Sequence, residues 1–373
     1  MELLKSDSRP CRRTTSAHPG LTLIEVLMSL FVLSIGLLGV AALIPAAHHL
    51  AEQGAQADRK SQLGQAAYRK FHVYNMGRPN FGPDSYWGAF TAGPPSGIAP
   101  VNANSLNCYC IDPLMVLSGE TDITYFPRTV TTPGPGLPAM YRVTLRSTLT
   151  PTVPYGWMTL SQAQSIFVGL DDLEYELPVT SEDDAHQKLD RVAGGTGAFV
   201  RRNARGRFSW FATLVPELST TVEDDYVLSV IVVKEREFAL DPQKPNELMI
   251  PLNPQTDFGD AGLGGGDVTM RVASDDPVVN ARAYIRTGDW VLLAQQVASG
   301  TGVRNYFRWY HVINTDDYKA GTDRTVMLSG PDWNPNVIGP APGNLNNLIW
   351  VKNVVAVYEK MIRLEAESVW TES

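Results

Sequence analysis

The chain has 373 residues, of which 44% are hydrophobic and 19% charged, and a formal net charge of −8. This composition belongs to a folded protein rather than a disordered one, with room for one large or two ordinary domains. The acidic balance makes the surface as a whole a poor partner for nucleic acid or anionic lipid, and 31 glycines with 26 prolines call for many turns and long loops.

Residues 1–20 read as a basic leader. Lys5, Arg9, Arg12 and Arg13 stand there against Glu2 and Asp7, a surplus of two positives that leaves the rest of the chain near −10. Next comes "LTLIEVLMSLFVLSIGLLGVAALI", residues 21–44, whose single ionisable side chain is Glu25. As a helix this run reaches roughly 36 Å at ~1.5 Å per residue, enough for a hydrocarbon core of ~30 Å. A helix on a soluble core would show a polar face; here the only polar groups besides Glu25 are the small hydroxyls of Thr22, Ser29 and Ser34. A secretory signal peptide has a shorter apolar region, ~7–15 residues, and Pro45 in "IPAAHH" sits badly for that cleavage. Basic residues precede the span, and the next ones, Arg59 and Lys60, come well after it. The positive-inside tendency then keeps the N-terminus in the cytoplasm and sends the C-terminal part out of it, as a single-pass membrane protein.

Glu25 is the anomaly, because an ionised acid in a bilayer costs about 2.5–3.5 kcal/mol on insertion scales. One reading lets it reach the headgroup zone from the first turn. The other gives it a cationic partner inside the membrane, and a free α-amino group made by cutting the chain before Leu21 would serve.

These residues carry a resemblance. A basic leader ending in Gly20, "LTLIEV" with glutamate fifth after the glycine, and a long apolar helix together resemble the class III signal of type IV prepilins and type II secretion pseudopilins. Leu21 stands where that family most often has phenylalanine. A glycine before the cut makes chemical sense, since a residue without a side chain lets the peptide bond enter an intramembrane protease site. The resemblance implies cleavage after Gly20 by a prepilin peptidase, N-methylation of Leu21 by the same enzyme, and neutralisation by Glu25 of a neighbouring subunit's N-terminal amine during filament docking. It also implies the partners: the peptidase, other pilin or pseudopilin subunits, an inner-membrane assembly platform and the lipid bilayer. Within the group "VLSIGLLGVAAL" is most similar to minor pilins of the PilV type, and Gly36 and Gly39 permit close helix packing. The resemblance spans residues 10–70 and goes no further.

Residues 48–72 continue as a polar helix in which Leu63, Ala67 and Phe71 recur at four-residue spacing, a narrow stripe suited to packing on a globular head. "GRPNFGPDSYWG" ends it, so the helix is expected over 21–75. Residues 77–138 read as loop-rich. Strands are expected at "MYRVTLRSTL", "FSWFATLV", "YVLSVIVVKEREF", "ELMIPL", "VTMRVA", "DWVLLAQQ", "YFRWYHVI", "TVMLSG" and "WVKNVVAVYEKMIRL". A short helix is expected at "TLSQAQSIFVGL", opened by Thr159 or Ser161. The expected fold class is α+β: a long N-terminal transmembrane or spine helix, then a mainly antiparallel β-rich head over 76–373, its two sub-parts dividing near the glycine-rich stretch 257–267.

Chemistry-bearing motifs are sparse. No zinc-protease helix, phosphate loop or nucleophile elbow occurs, and "RVAGGTGAF" lacks the lysine and hydroxyl of a nucleotide loop, so no enzyme is expected. His48 and His49 are adjacent and so fall on different helix faces, while His72, His186 and His311 are scattered. Cys11 lies in the leader. A disulfide between Cys108 and Cys110 would close a very small, strained ring, and two unlinked thiols are the other reading. "RRNARGRFSW" gathers Arg201, Arg202, Arg205 and Arg207 beside Phe208 and Trp210, a combination that can grip single-stranded nucleic acid or acidic glycans, although a solvated loop leading into a strand is the commoner meaning. Acidic residues at 171–172, 182–184 and 223–225, with Asp257, Asp260 and Asp267, supply some of the oxygens calcium needs, but no spacing matches a calcium loop and no cofactor is expected. Trp290, Trp309, Trp333 and Trp350 are expected to fill the β core rather than to bind sugar.

The sequence therefore reads as a minor pilin or pseudopilin-like subunit of a type IV pilus or secretion filament. Two rivals stand beside it: a pilus-tip adhesin or DNA-uptake pilin gripping a ligand through the arginine patch, and an unrelated single-span protein with an uncharacterised outer domain.

Overall fold

In the computed structural model of this protein, helix α1 runs Leu23–Val73 without interruption, through Pro45. The structure describes residues 22–79, 86–91, 97–101, 107–118, 120, 123–130, 133–134, 137–147, 156–169, 174–176, 201–203, 208–217, 225–238, 246–252, 265–271, 285–299, 302–317, 322–331 and 346–364. The chain separates into two units, dividing between Asp58 and Arg59, and α1 contributes to both. In the first unit every described side chain from Thr22 to Ala55 is exposed. In the second, Leu63, Gly64, Ala67 and Phe71 are buried, the stripe that four-residue spacing places on one helix face.

Among the described residues sixteen strands and two short helices follow: β1 (Trp87–Thr91), β2 (Gly97–Pro100), β3 (Tyr109–Ile111), α2 (Pro113–Val116), β4 (Tyr125–Phe126), β5 (Met140–Leu145), α3 (Leu160–Phe167), β6 (Glu174–Glu176), β7 (Arg201–Asn203), β8 (Phe208–Pro216), β9 (Asp225–Lys234), β10 (Glu247–Pro251), β11 (Gly265–Met270), β12 (Trp290–Ser299), β13 (Gly302–Thr315), β14 (Arg324–Ser329), β15 (Asn346–Val351) and β16 (Val354–Arg363). They build an eight-stranded sheet ordered β16-β9-β8-β3-β5-β1-β2, with β4 on β5, a six-stranded sheet ordered β10-β15-β12-β13-β14-β11, and a two-stranded sheet of β6 and β7. Among the described strands every pairing is antiparallel except β3 with β5. The architecture is thus a long apolar N-terminal helix followed by a mostly antiparallel β domain, an α+β arrangement.

Two-residue periodicity sorts the core. On β8, Phe208, Trp210, Ala212 and Leu214 point to the face covered by the α1 stripe and α3, while Phe211 and Val215 point to the other face. On β12, Leu292 and Ala294 meet that second face from the six-stranded sheet, so the two sheets pack together through Phe211, Ile231, Phe307, Trp309 and Ile349. The alternate residues Val291, Leu293, Tyr306, Tyr310 and Leu348 form a third cluster inside the six-stranded sheet. That sheet curls enough for its outermost strands to touch: Leu252 bridges Met270, and the Arg271 N–H donates to the Pro251 carbonyl at 2.9 Å. It stops short of a closed barrel.

Four features depart from or refine the sequence expectations. The loop-rich stretch 77–138 holds β1 to β4 and α2, elements too short to give a period, and β3 lies at the centre of the larger sheet. "WVKNVVAVYEKMIRL" is two strands, not one: Asn353 takes φ 61°, a left-handed turn residue, and the chain passes there from the smaller sheet into the larger. The change of sheet falls between Lys234 and Glu247, while residues 257–264 of the expected division lie outside the described residues. Helix α3 opens at Thr159, whose hydroxyl accepts the Gln162 N–H while the Gln162 side chain accepts the Thr159 N–H, a capping box.

Gly64 makes the close approach of α1 to β16 possible. A Cβ there would stand 2.2 Å from Cε2 of Tyr358, whose hydroxyl donates to the Lys60 carbonyl at 3.3 Å. Lys360 Nζ lies 4.3 Å from the centre of the Tyr68 ring, and Lys70 Nζ donates to the Ile166 carbonyl at 2.7 Å. Burying Phe71 and Leu63 contributes on the order of 1.5–3 kcal/mol per side chain.

Candidate functional site

The first half of α1 is built for an apolar surrounding. Its hydroxyls bond within the helix: Ser29 Oγ donates to the Glu25 carbonyl and Ser34 Oγ to that of Leu30, each at 2.7 Å. Serine is tolerated in such a segment because the backbone four residues earlier satisfies it. Nothing lies within 4 Å of where a Cβ would sit on Gly36 or Gly39. Glu25 occupies the first turn of α1 with an exposed side chain and is the single ionisable residue between Leu23 and Ala47. This one helix is long and apolar enough to cross a membrane. Gly20 and Leu21 lie outside the described residues.

Arg201 and Arg202 belong to β7, which pairs only with β6 among the described strands. The register sets Arg201 opposite Glu176 and Arg202 opposite Tyr175, so the basic strand runs beside an acidic one. Arg205 and Arg207 lie outside the described residues. Of the acidic clusters, Asp225 opens β9 and Asp267 sits on β11, the others falling outside the described residues. Among the described residues no three His, Cys, Asp or Glu side chains converge as a metal set. Cys108 and Cys110 are free, buried thiols. Burial pushes both well up from the ordinary thiol range, which keeps them protonated and poor nucleophiles.

A charged cluster the sequence did not announce lies where the two sheets meet. Asp112 caps the short helix α2, accepting the Met115 N–H at 3.3 Å, and takes guanidinium hydrogen bonds from Arg142 and Arg236. Arg142 Nη2 donates to Glu247 Oε2 at 2.6 Å, and the Arg128 N–H donates to the same oxygen at 3.0 Å. Asp112 and Arg142 are fully buried and Glu247 nearly so. Burial alone would raise the Asp112 carboxyl, but Arg236 and Arg142 outweigh it and hold it below the usual carboxylate range. Arg142 is also opposed by burial and is held above its ordinary value by Glu247 and Asp112. The guanidinium of Arg236 stacks 4.6 Å from the Phe211 ring centre. The adjoining cavity, lined by Met115, Arg236, Asn246 and Glu247, measures about 10 Å³, room for a water and no substrate. The cluster ties β3, β5 and α2 of one sheet to β10 of the other, a structural role. Its sequence signal was faint: "DP" at a helix start marks Asp112 as a cap, but nothing local pairs it with residues 30 and 124 positions away.

No family model matches this sequence, and neither a curated protein nor a solved structure matches it.

Proposed function

We propose that this chain is a minor pilin or pseudopilin-like subunit, inserted in the inner membrane as a single-span precursor, trimmed after Gly20 and assembled into a type IV pilus or type II secretion-like filament. The observation that carries the reading is α1 itself. Its first half is apolar on every side and exposed, with one acid in the first turn, while its last turns lay Leu63, Ala67 and Phe71 on an antiparallel sheet. A membrane satisfies that first half before assembly, and the apolar helices of neighbouring subunits satisfy it afterwards. Glu25 then meets the α-amino group of the next subunit, and Gly36 and Gly39 give partner helices room to approach. The protein acts by assembly rather than by turnover of a substrate.

The test is mass spectrometry of the N-terminal peptide from membranes of cells with and without their prepilin peptidase. A peptide beginning at methylated Leu21, absent without the peptidase, is the expected result. An intact leader, or cleavage near Ala47, overturns the proposal.

A further inference from the structure

At the turn where the chain leaves the six-stranded sheet for the eight-stranded one, a cleft of about 280 Å³ opens, close to the smaller end of the ~300–1,000 Å³ range of ligand sites. Its walls include Arg286, Asp289, Trp290, Trp350, Lys352 and Asn353. We propose that this cleft binds a saccharide, with Trp290 as the platform for a pyranose ring and Asp289, Arg286 and Asn353 as its hydrogen-bonding rim.

The contrast among the tryptophans is the starting point. Trp309 is 1% exposed and Trp350 is 7% exposed, so both fill the core as expected, whereas Trp290 packs on the inter-sheet core yet stays half-buried along the cleft. The His311 ring, 5.2 Å away and steeply tilted, fixes the plane of the indole. An indole face is apolar with a negative π cloud, which suits the C–H bonds on one side of a sugar ring. The polar rim is also held in place. Asp289 Oδ2 accepts the Arg286 N–H at 2.8 Å, and the Trp350 side chain hydrogen-bonds the same carboxylate. A carboxylate offers about four lone-pair positions, so acceptor capacity remains for hydroxyl groups. Asn353 is exposed and locked at φ 61°, and Arg286 is exposed, so donors flank the acceptor. Lys352 is oriented by Glu237, with both carboxylate oxygens at 3.0 Å.

The arrangement selects among ligand classes. A cationic ligand seeking an aromatic face would meet two cations on the rim, and a purely apolar one would strip water from Asp289 and Arg286 without replacing it. A ring with one C–H face and a margin of hydroxyls satisfies both the indole and the rim. This inference is independent of the filament reading, because it concerns residues 286–353 alone.

The experiment is saturation-transfer NMR on the full chain in a detergent without a sugar headgroup, using glucose, galactose, N-acetylglucosamine and glucuronate as probes. Transfer to ring protons of at least one probe is expected, with binding about ten-fold weaker or worse in Trp290→Ala. Arg286→Gln changes an exposed side chain and keeps the backbone N–H bonded to Asp289, and it is expected to weaken binding while circular dichroism shows an unchanged fold. Absence of transfer to all four probes, or equal transfer in the wild type and both variants, overturns the proposal.

Discussion

Residues 23–47 of α1 turn their apolar side chains outward, Leu37 at 72% exposure, whereas the β-rich unit turns charges inward, with Asp112 and Arg142 at 0%. Each is an inversion of the ordinary rule that apolar groups go in and charges stay out. The two are resolved differently. The buried charges find their counter-charges within the same unit, through hydrogen bonds from two guanidiniums to Asp112 and one to Glu247. The exposed apolar surface lies on a helix long and apolar enough to cross a membrane, and on the proposed reading a bilayer or neighbouring helices cover it.

The sharpest way to break the β-rich unit is Arg142→Leu. It leaves two buried carboxylates short of a counter-charge, and losing one partner of such a pair costs about 3–5 kcal/mol. Urea unfolding followed by tryptophan fluorescence should show that loss. A change under about 1 kcal/mol would mean that the cluster is hydrated and that the contrast between the units is smaller than described. Gly64→Val comes next. The added methyls collide with Tyr358, and overpacking of this kind costs about 1–3 kcal/mol. Adding Tyr358→Ala should return most of that loss; if it does not, the seat of α1 on β16 is not what limits the position.

How much of this was legible beforehand differs between the units for a physical reason. The apolar run, its single acid and the stripe Leu63–Ala67–Phe71 are local patterns, and a helix is a local structure, so the sequence carries them directly. The longer strands were legible for the same reason, several of them alternating between two cores, as β8 and β12 do. The short strands β1 to β4 were not, because two to five residues contain no period and their pairing is set by distant partners. The turn at Asn353 was missed inside an otherwise continuous run of β-formers. The cluster around Asp112 was invisible because its members come together only through the packing of two sheets. Trp290 looked like core by residue type, and its half-buried place in the cleft is a property of the turn beside it.

Acid titration separates groups that the β-rich unit treats in opposite ways. Asp112 has a folded value below its unfolded one near 3.9, so the unfolded chain binds the extra proton and stability drops as pH falls below about 4. Asp289 is pushed up, first by burial, against the pull of the Arg286 N–H and the Arg286 charge. There the folded state holds the proton, so stability rises as pH falls from the raised value towards the unfolded one. The melting temperature should therefore peak in mild acid, above about pH 4. Asp289→Asn should reduce the rise on the neutral side, Glu359, also pushed up by burial, sustaining the remainder, and should leave the acid collapse in place. A collapse that instead begins near neutral pH would show that the arginines do not hold Asp112 ionised.

The smallest expected change in stability falls on the residue proposed to matter most for assembly. Glu25 is exposed and belongs to the first unit, so Glu25→Ala should alter unfolding of the β-rich unit by no more than ~0.5 kcal/mol. On the filament reading the same change removes the only charge available to meet a neighbour's amine within an apolar phase, where an unpaired ion is costly. The variant should fold normally, insert in the membrane, be processed after Gly20 and yet fail to enter filaments. Leu37→Ala in the same segment should spare both folding and incorporation, since an apolar surrounding accepts either side chain. Normal incorporation of Glu25→Ala would leave the apolar half of α1 a plain anchor, and the difference between the two units would then be one of solvent alone.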